Sequence, residues 1–257
     1  MTHSSALARR LRDLLMAIAG MVLVWWLYVT VVSVPAFLLP KPQAVAVALW
    51  QLVESGDIWG HLYSTLSVML IGLAAGVALG LACGAALAHS ESLQVWLDGP
   101  LLFLQTAPKI ALAPLFLIWF GLGLLSKVML VISLVFFPVL IGTMLGIRSV
   151  APGFHDLSRI LKLTAWRTFL HVELPHAAAD ILAGVRVGSL QAIVGAILAE
   201  WLSSKSGLGY LMIMANATFN APLLFAAVVL TVGIGILTYF LIESVEMRLL
   251  GWRSSND

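Results

Sequence analysis

The stretch Leu62–Ala88 reads LYSTLSVMLIGLAAGVALGLACGAALA and carries no charged side chain. As a helix it would span about 40 Å at 1.5 Å per residue, enough to cross about 30 Å of hydrocarbon. Within it Gly72, Gly76, Gly80 and Gly84 recur at every fourth position. Glycine at that spacing bares one stripe of the helix and lets a neighbour approach closely. The stripe predicts a tight helix crossing.

The rest of the chain has the same character. Hydrophobic residues make up 61% of its 257 positions and charged residues only 10%, with a mean hydropathy of +1.03. A soluble domain carries about 25% charged residues, so most of this surface must face lipid. The apolar runs follow one another through short connections, which implies one membrane domain. Cys83 is the sole cysteine, so no intrachain disulfide forms. The net charge of +2 does not point to nucleic acid, and the six histidines show no ligand spacing, so no metal is expected.

Five further runs resemble the first in length, giving an all-α membrane protein of about six spans. The six are Leu14–Val34, Leu62–Ala88, Leu101–Leu122, Val128–Ile147, Ala177–Trp201 and Leu223–Ile242. Pro108, Pro114 and Pro138 fall in the third and fourth, where kinks are expected rather than breaks. The first run is too long for a secretory signal and lacks a small-residue cleavage pattern. With the N-terminus inside, the cytoplasmic side holds Arg9, Arg10, Arg12, Lys109, Arg148, Arg159, Lys162, Arg167, Arg248 and Arg253. The outer side holds Lys41, Lys127 and Lys205. This asymmetry predicts that both termini are cytoplasmic. Residues 1–13 then form a cytoplasmic segment, 14–250 the membrane domain and 251–257 a cytoplasmic tail.

One connection is long and polar, from about Arg148 to Pro175. Pro152 and Gly153 should break the preceding helix. From His155 to Leu163, Leu157, Ile160 and Leu161 alternate with charges, the pattern of a short amphipathic helix. Thr164 is placed to cap a second short turn through Trp166 and Phe169. A structured cytoplasmic loop of this kind suits docking of a partner.

This loop resembles the permease subunits of binding-protein-dependent ABC importers, in the branch that handles sulfonates, taurine and nitrate. Their loop reads Glu-Ala-Ala, three residues, Gly, nine residues, Ile, one residue, Leu-Pro. Anchored on Leu174-Pro175, the matching positions are Asp156, Leu157, Ser158, Lys162 and Val172. Lysine in place of the glycine predicts a strained turn at 162 or a helix running on to Thr164. Similar segments follow in family order: Leu39-Pro40-Lys41-Pro42, Leu115–Gly123, Phe136-Phe137-Pro138, Gly146-Ile147-Arg148, Ala199-Glu200 and Ser206–Leu211.

The resemblance implies a MetI-like permease fold in the bacterial inner membrane and a division of labour. Two permease copies, a homodimer in the simplest case, would line the pathway. A cytoplasmic ATPase dimer would hold ATP and Mg, and a periplasmic or lipid-anchored binding protein would deliver a small anionic nutrient. Asp156–Lys162 would be the coupling helix seated on the ATPase, and the glycine crossing would slide during alternating access. This chain would bind no cofactor and catalyse nothing itself; it has no Gly-x-x-x-x-Gly-Lys-Ser/Thr loop.

Charges inside spans are costly and therefore informative. Arg186 and Glu200 fall on one side of the fifth span, about 21 Å apart along it. With Ser189 and Ala196 they are expected to line the pathway, Arg186 lending positive potential and Glu200 sitting at the outer mouth. Gln105, Thr106 and Lys109 face either the pathway or the cytoplasmic surface. Glu243 and Glu246 read as interfacial, as do Trp25, Trp26 and Trp119. An ATPase-independent secondary transporter or channel is the alternative; an intramembrane enzyme would need a catalytic pair that the spans lack.

Overall fold

The computed structural model describes residues 3–203 and 205–250, with side chains from Arg12 onward except those of Leu14 and Leu15. The expected tail 251–257, with Arg253, lies outside the described residues, as do the side chains of Arg9 and Arg10. The helices are α1 (His3–Val31), α2 (Pro42–Ser55), α3 (Asp57–His89), α4 (Glu91–Thr106), α5 (Lys109–Phe120) and α6 (Leu124–Arg148). They continue with α7 (Pro152–Ile160), α8 (Ala165–Thr168), α9 (Leu174–Ser203), α10 (Leu208–Ala217) and α11 (Ala221–Leu249). The segment expected to precede the membrane is thus helical from His3.

Proline and glycine set many of these limits. Pro42 opens α2 in its first turn, where a missing N–H breaks no bond, and Gly56 closes it at φ +79°. Pro152 likewise begins α7 instead of ending α6. Pro114 and Pro138 stay inside their helices.

Pro108 behaves differently and corrects the expected third span. Leu101–Leu122 is not one kinked helix but parts of two, α4 and α5, bent by 97°. Ala107, the residue before the proline, takes an extended ψ of 134°, and Pro108 has no N–H to carry α4 onward.

Four described stretches are long and apolar enough to cross a bilayer: Asp57–His89, Leu124–Arg148, Ala165–Ser203 and Ala221–Leu249. The bent pair makes a fifth if taken as one span. The expected first span, Leu14–Val34, begins in α1 and runs past its end at Val31; the apolar part of α1 is Met16–Val31. The fifth expected span, Ala177–Trp201, starts earlier: α8 runs into α9 through a π-helical turn, Phe169–Glu173. There the Leu174 N–H reaches back to the Phe169 carbonyl. The wider turn adjusts the hydrogen-bond ladder just before Pro175, which cannot donate to it.

By its packing the chain forms two units, Met1–Gly60 with Leu211–Leu230 and His61–Tyr210 with Thr231–Asp257. In the first, α1 packs on α2, and Trp25 lies 5.6 Å from the Phe225 ring. The second is built around α6. On one side Val131, Val135 and Val139, all at 0% exposure, meet the glycine stripe of α3. A Cβ at Gly72 would stand 2.5 Å from Val131, one at Gly76 2.8 Å from Val135, and one at Gly80 2.8 Å from Val139. A Cβ at Gly84 would lie 2.7 Å from the Leu140 carbonyl and from Thr143.

The other side of α6 meets α9 with the roles shared. A Cβ at Gly142 would stand 2.5 Å from the Asp180 carbonyl, and one at Gly184 2.5 Å from the Pro138 carbonyl. Gly146 similarly abuts Ala177. Dispersion between close backbones holds such crossings in lipid, where burial from water contributes nothing.

Candidate functional site

The polar stretch 148–175 folds as α7, a turn and α8. Asp156, Leu157, Ser158 and Ile160 lie on α7, followed by Leu161 and Lys162 at its end. Leu157 is 50% exposed, Ile160 76% and Leu161 60%, while Ser158 is buried. The Ser158 hydroxyl donates to the Phe154 carbonyl at 2.8 Å. Asp156 and Arg159 pair along the outside at 3.6 Å. The helix therefore turns a small polar residue inward and presents its large apolar side chains outward. Such a patch on a polar connection marks an interaction surface.

Helix α7 does not run on to Thr164. The Lys162 N–H donates to the Arg159 carbonyl and the Leu163 N–H to the Ser158 carbonyl, both at 3.0 Å. This pair of bonds is the Schellman ending, which puts the residue after the cap in the left-handed region. That residue is Lys162, at φ +51°, the position where the resembling loop carries glycine. Thr164 then accepts from the Arg167 N–H at 3.4 Å and caps α8. Lysine in this conformation costs about 1–2 kcal/mol. Lys162→Gly, less the added freedom of the unfolded chain, is expected to raise stability by about 1 kcal/mol. Thermal unfolding in detergent would show it as a higher midpoint.

A polar cluster not anticipated from the sequence ties this loop to the helices. Glu173, just before Leu174-Pro175, is 4% exposed. One carboxyl oxygen lies 2.7 Å from His89 Nε2 at the end of α3, and the other 3.9 Å from His155 Nδ1 on α7. Arg148 adds a bond from the end of α6 to the Leu87 carbonyl at 3.0 Å. The ends of three spans and the exposed helix are thereby joined.

The four residues read as a pathway face on α9 do not share an exposed surface. Ser189, Ala196 and Glu200 are buried at 1%, 0% and 1% exposure. Ser189 donates to the Arg186 carbonyl at 2.7 Å. Arg186 pairs with Glu246 of α11, and its guanidinium lies 5.4 Å from the Tyr239 ring centroid. Glu246 is therefore an ion-pair partner rather than a simple interfacial residue, and the charge of Arg186 is met within the chain.

Glu200 organises the segment that follows α9. Thr65 Oγ1 donates to its carboxyl oxygens at 2.9 and 3.0 Å, and the Gly209 N–H donates at 2.8 Å. Thr65 in turn accepts from the Leu208 N–H at 2.8 Å, and the Gly207 N–H donates to His61 Nδ1 at 3.0 Å. Gly207 has φ +112°, and a Cβ there would overlap the Glu200 carboxyl. A Cβ at Gly209 would stand 2.6 Å from the Ile197 carbonyl.

An open, largely apolar cavity with a few polar groups lies elsewhere, among α4, α5, α6 and α9. It encloses about 620 Å³ and is lined by Gln105, Lys109, Phe137, Asp180 and Gln191 among others. The break at Pro108 makes Lys109 the first residue of α5, facing this space. Its ammonium donates to the Gln105 carbonyl at 3.0 Å and lies 5.1 Å from the Phe137 ring centroid. Lys109 and Gln105 thus face the cavity; Asp180 and Gln191 were missed, though each is a polar residue inside an apolar run.

The family described as "Binding-protein-dependent transport system inner membrane component" matches residues 76–251. The chain belongs to that family. It is an ABC importer permease, a membrane transport component and not an enzyme. It is 35% identical over 231 residues to a riboflavin transport system permease protein of Chloroflexus aurantiacus, covering 90% of this chain and 86% of that one. It is 32% identical over 239 residues to a protein of Bacillus subtilis named as an aliphatic sulfonates transport permease, covering 93% and 87%. A chain of the MetNI methionine ABC transporter in inward-facing conformations superposes with a TM-score of 0.67. That match covers 75% of this permease and 95% of the other chain at 16% identity, and it establishes the MetI-like fold.

Proposed function

We propose that this permease pairs with a second copy of itself in the bacterial inner membrane, with both termini cytoplasmic. Together the copies form the path for a small organic acid of the sulfonate or taurine kind, delivered by a binding protein outside. ATP and Mg bind to separate cytoplasmic ATPase subunits, which seat on α7. The observation that carries this reading is the outward face of Leu157, Ile160 and Leu161, at least half exposed on a short helix anchored through Glu173. Closure of an ATPase dimer on α7 would be passed through that cluster to α3 and α9, a rigid-body route between packed elements.

The test is purification of the transporter in mild detergent. The chain is expected to bring an ATP-binding subunit with it, and Ile160→Asp is expected to weaken that association at least tenfold while leaving the permease folded. Recovery of the permease alone, still moving solute in vesicles without ATP, would establish a secondary transporter or channel instead. The broken span at Pro108 is the feature that would suit that alternative.

A further inference from the structure

Glu173 ends the π-helical turn between α8 and α9, the kind of helix irregularity that gathers at functional sites. Its side chain is 6% exposed and stands between two imidazoles, His89 of α3 and His155 of α7. Those side chains are 48% and 39% exposed, so solvent protons reach both rings while the carboxyl stays buried.

The His89 ring fixes how many protons the cluster holds. Its Nδ1 lies 2.7 Å from the Ala85 carbonyl, which can only accept, so Nδ1 carries a hydrogen. Its Nε2 lies 2.7 Å from a Glu173 oxygen. That contact is a hydrogen bond when the ring is charged and donates, or when the ring is neutral and the carboxyl donates. Both arrangements contain the same single proton between the two groups. Without it, a neutral ring and an ionised carboxylate set acceptor against acceptor at one of the ring's two contacts. His155 Nδ1, 3.9 Å from the other carboxyl oxygen, acts in the same direction, because a charged ring there adds attraction.

The other titratable and charged groups on these elements are engaged elsewhere or exposed. Arg148 of α6 donates to the Leu87 carbonyl, and Asp156 pairs with Arg159 on the outside of α7. His176 of α9 turns its Nδ1 to the Val172 carbonyl, with its ring 4.3 Å from that of Phe154. Glu91, Arg167, His171 and Asp180 are exposed.

We propose that the Glu173 cluster is a proton-operated latch, closed by a proton from the cytoplasm so that α7 is joined to α3, and opened when that proton leaves. Closure takes up a proton, so the latch tightens as pH falls and opens as pH rises. Histidine is the side chain that exchanges protons near cytoplasmic pH. The consequence for transport rests on the importer reading above: the passage of ATPase closure from α7 to the membrane helices would weaken as the cytoplasm turns alkaline. The latch itself belongs to this chain alone.

The test therefore uses the full-length permease in lipid nanodiscs, without partners, so that each reading can fail separately. Hydrogen–deuterium exchange over residues 152–173 is measured from pH 6 to 8.5 and corrected for the intrinsic exchange rate at each pH. Protection in the parent is expected to fall at least tenfold across this range. Glu173→Gln is the decisive variant. Its amide donates to Nε2 of a neutral His89 without an added proton, so protection should stay high at every pH. His89→Ala removes the ring and should leave protection low at every pH. A melting curve on each variant controls for folding. Protection that does not change with pH in the parent would overturn the proposal. A Glu173→Gln profile that still falls as pH rises would overturn it as well, since the titrating group would then lie outside this pair. Failure to recover an ATP-binding subunit in the purification described earlier would sink the importer reading and leave the latch result standing.

Discussion

Glu200→Ala is expected to destabilise the permease by about 3 kcal/mol. The carboxyl group is 1% exposed; its two oxygens share the one Thr65 hydroxyl proton, and one of them also accepts from the Gly209 N–H. Truncation leaves that N–H buried without an acceptor, at about 1–3 kcal/mol, and opens a void beside Gly207. Glu200→Gln keeps the volume and one carbonyl oxygen, so its cost should be about 1 kcal/mol. The contrast between the variants is the diagnostic, because a residue that merely fills space would give two similar losses. Thermal unfolding in detergent measures both. Limited proteolysis should show cleavage near Ser206 appearing in the alanine variant alone. An alanine variant as stable as the parent would mean that the carboxyl does not hold this segment.

The Glu200 network also shows what sequence reading reaches and where it stops. The segment Ser206–Leu211 was recognisable as a family match, but nothing local explained its glycines. Gly207 is needed because a side chain would overlap the Glu200 carboxyl, and Gly209 because the Ile197 carbonyl is too close. Both reasons involve a residue of the preceding helix, and Thr65 joins them from α3. Partners of that kind meet only in the fold. The same holds for Arg186 with Glu246 and for Glu173 with His89 and His155.

Properties that repeat along one helix were legible. Apolar length located the four long spans, because hydrocarbon thickness is a constraint each helix meets alone. The stripe Gly72–Gly84 was visible for the same reason. Gly142 with Gly146 and Gly184 with Gly188 have identical spacing, but a single pair of glycines is too short to stand out as a stripe. Pro108, Pro114 and Pro138 looked alike in their apolar runs; only the first breaks its span. The broken helix and its half-buried Lys109 then line a cavity that no single run announces.

The exposed helix α7 is the intermediate case. Its amphipathic pattern was plain, but the pattern does not say which face turns inward. In a soluble protein Leu157 and Ile160 would be taken as core. Here they project outward, because Ser158 is small enough to pack close beneath, and an apolar face without a core needs a partner. Lys162 followed from motif and sterics together. A position that carries glycine in the family had to be left-handed or abandoned, and the chain keeps the turn at φ +51°.

Gly76→Leu is expected to prevent stable folding altogether. A Cβ at this position would stand 2.8 Å from both Cβ and Cγ1 of Val135. Val135 is fully buried and β-branched, so its χ1 has little freedom to give way. Leucine would have to push α3 off α6 along the whole stripe. The milder Gly76→Ala should cost about 1–3 kcal/mol as an overpacked contact. Val135→Ala should cost a similar amount by leaving a void. The double variant is expected to recover at least 1 kcal/mol of the summed loss, since each change supplies the space the other needs. Gly233 on α11 has nothing within 4 Å of its missing Cβ. Gly233→Ala should therefore leave stability unchanged or raise it by up to about 1 kcal/mol, the helix preference for alanine. Unfolding midpoints of the four variants that fold, with the yield of the leucine variant, complete the comparison. If the alanine changes at 76 and 233 behaved alike, the stripe would be incidental and α3 would be held by other contacts.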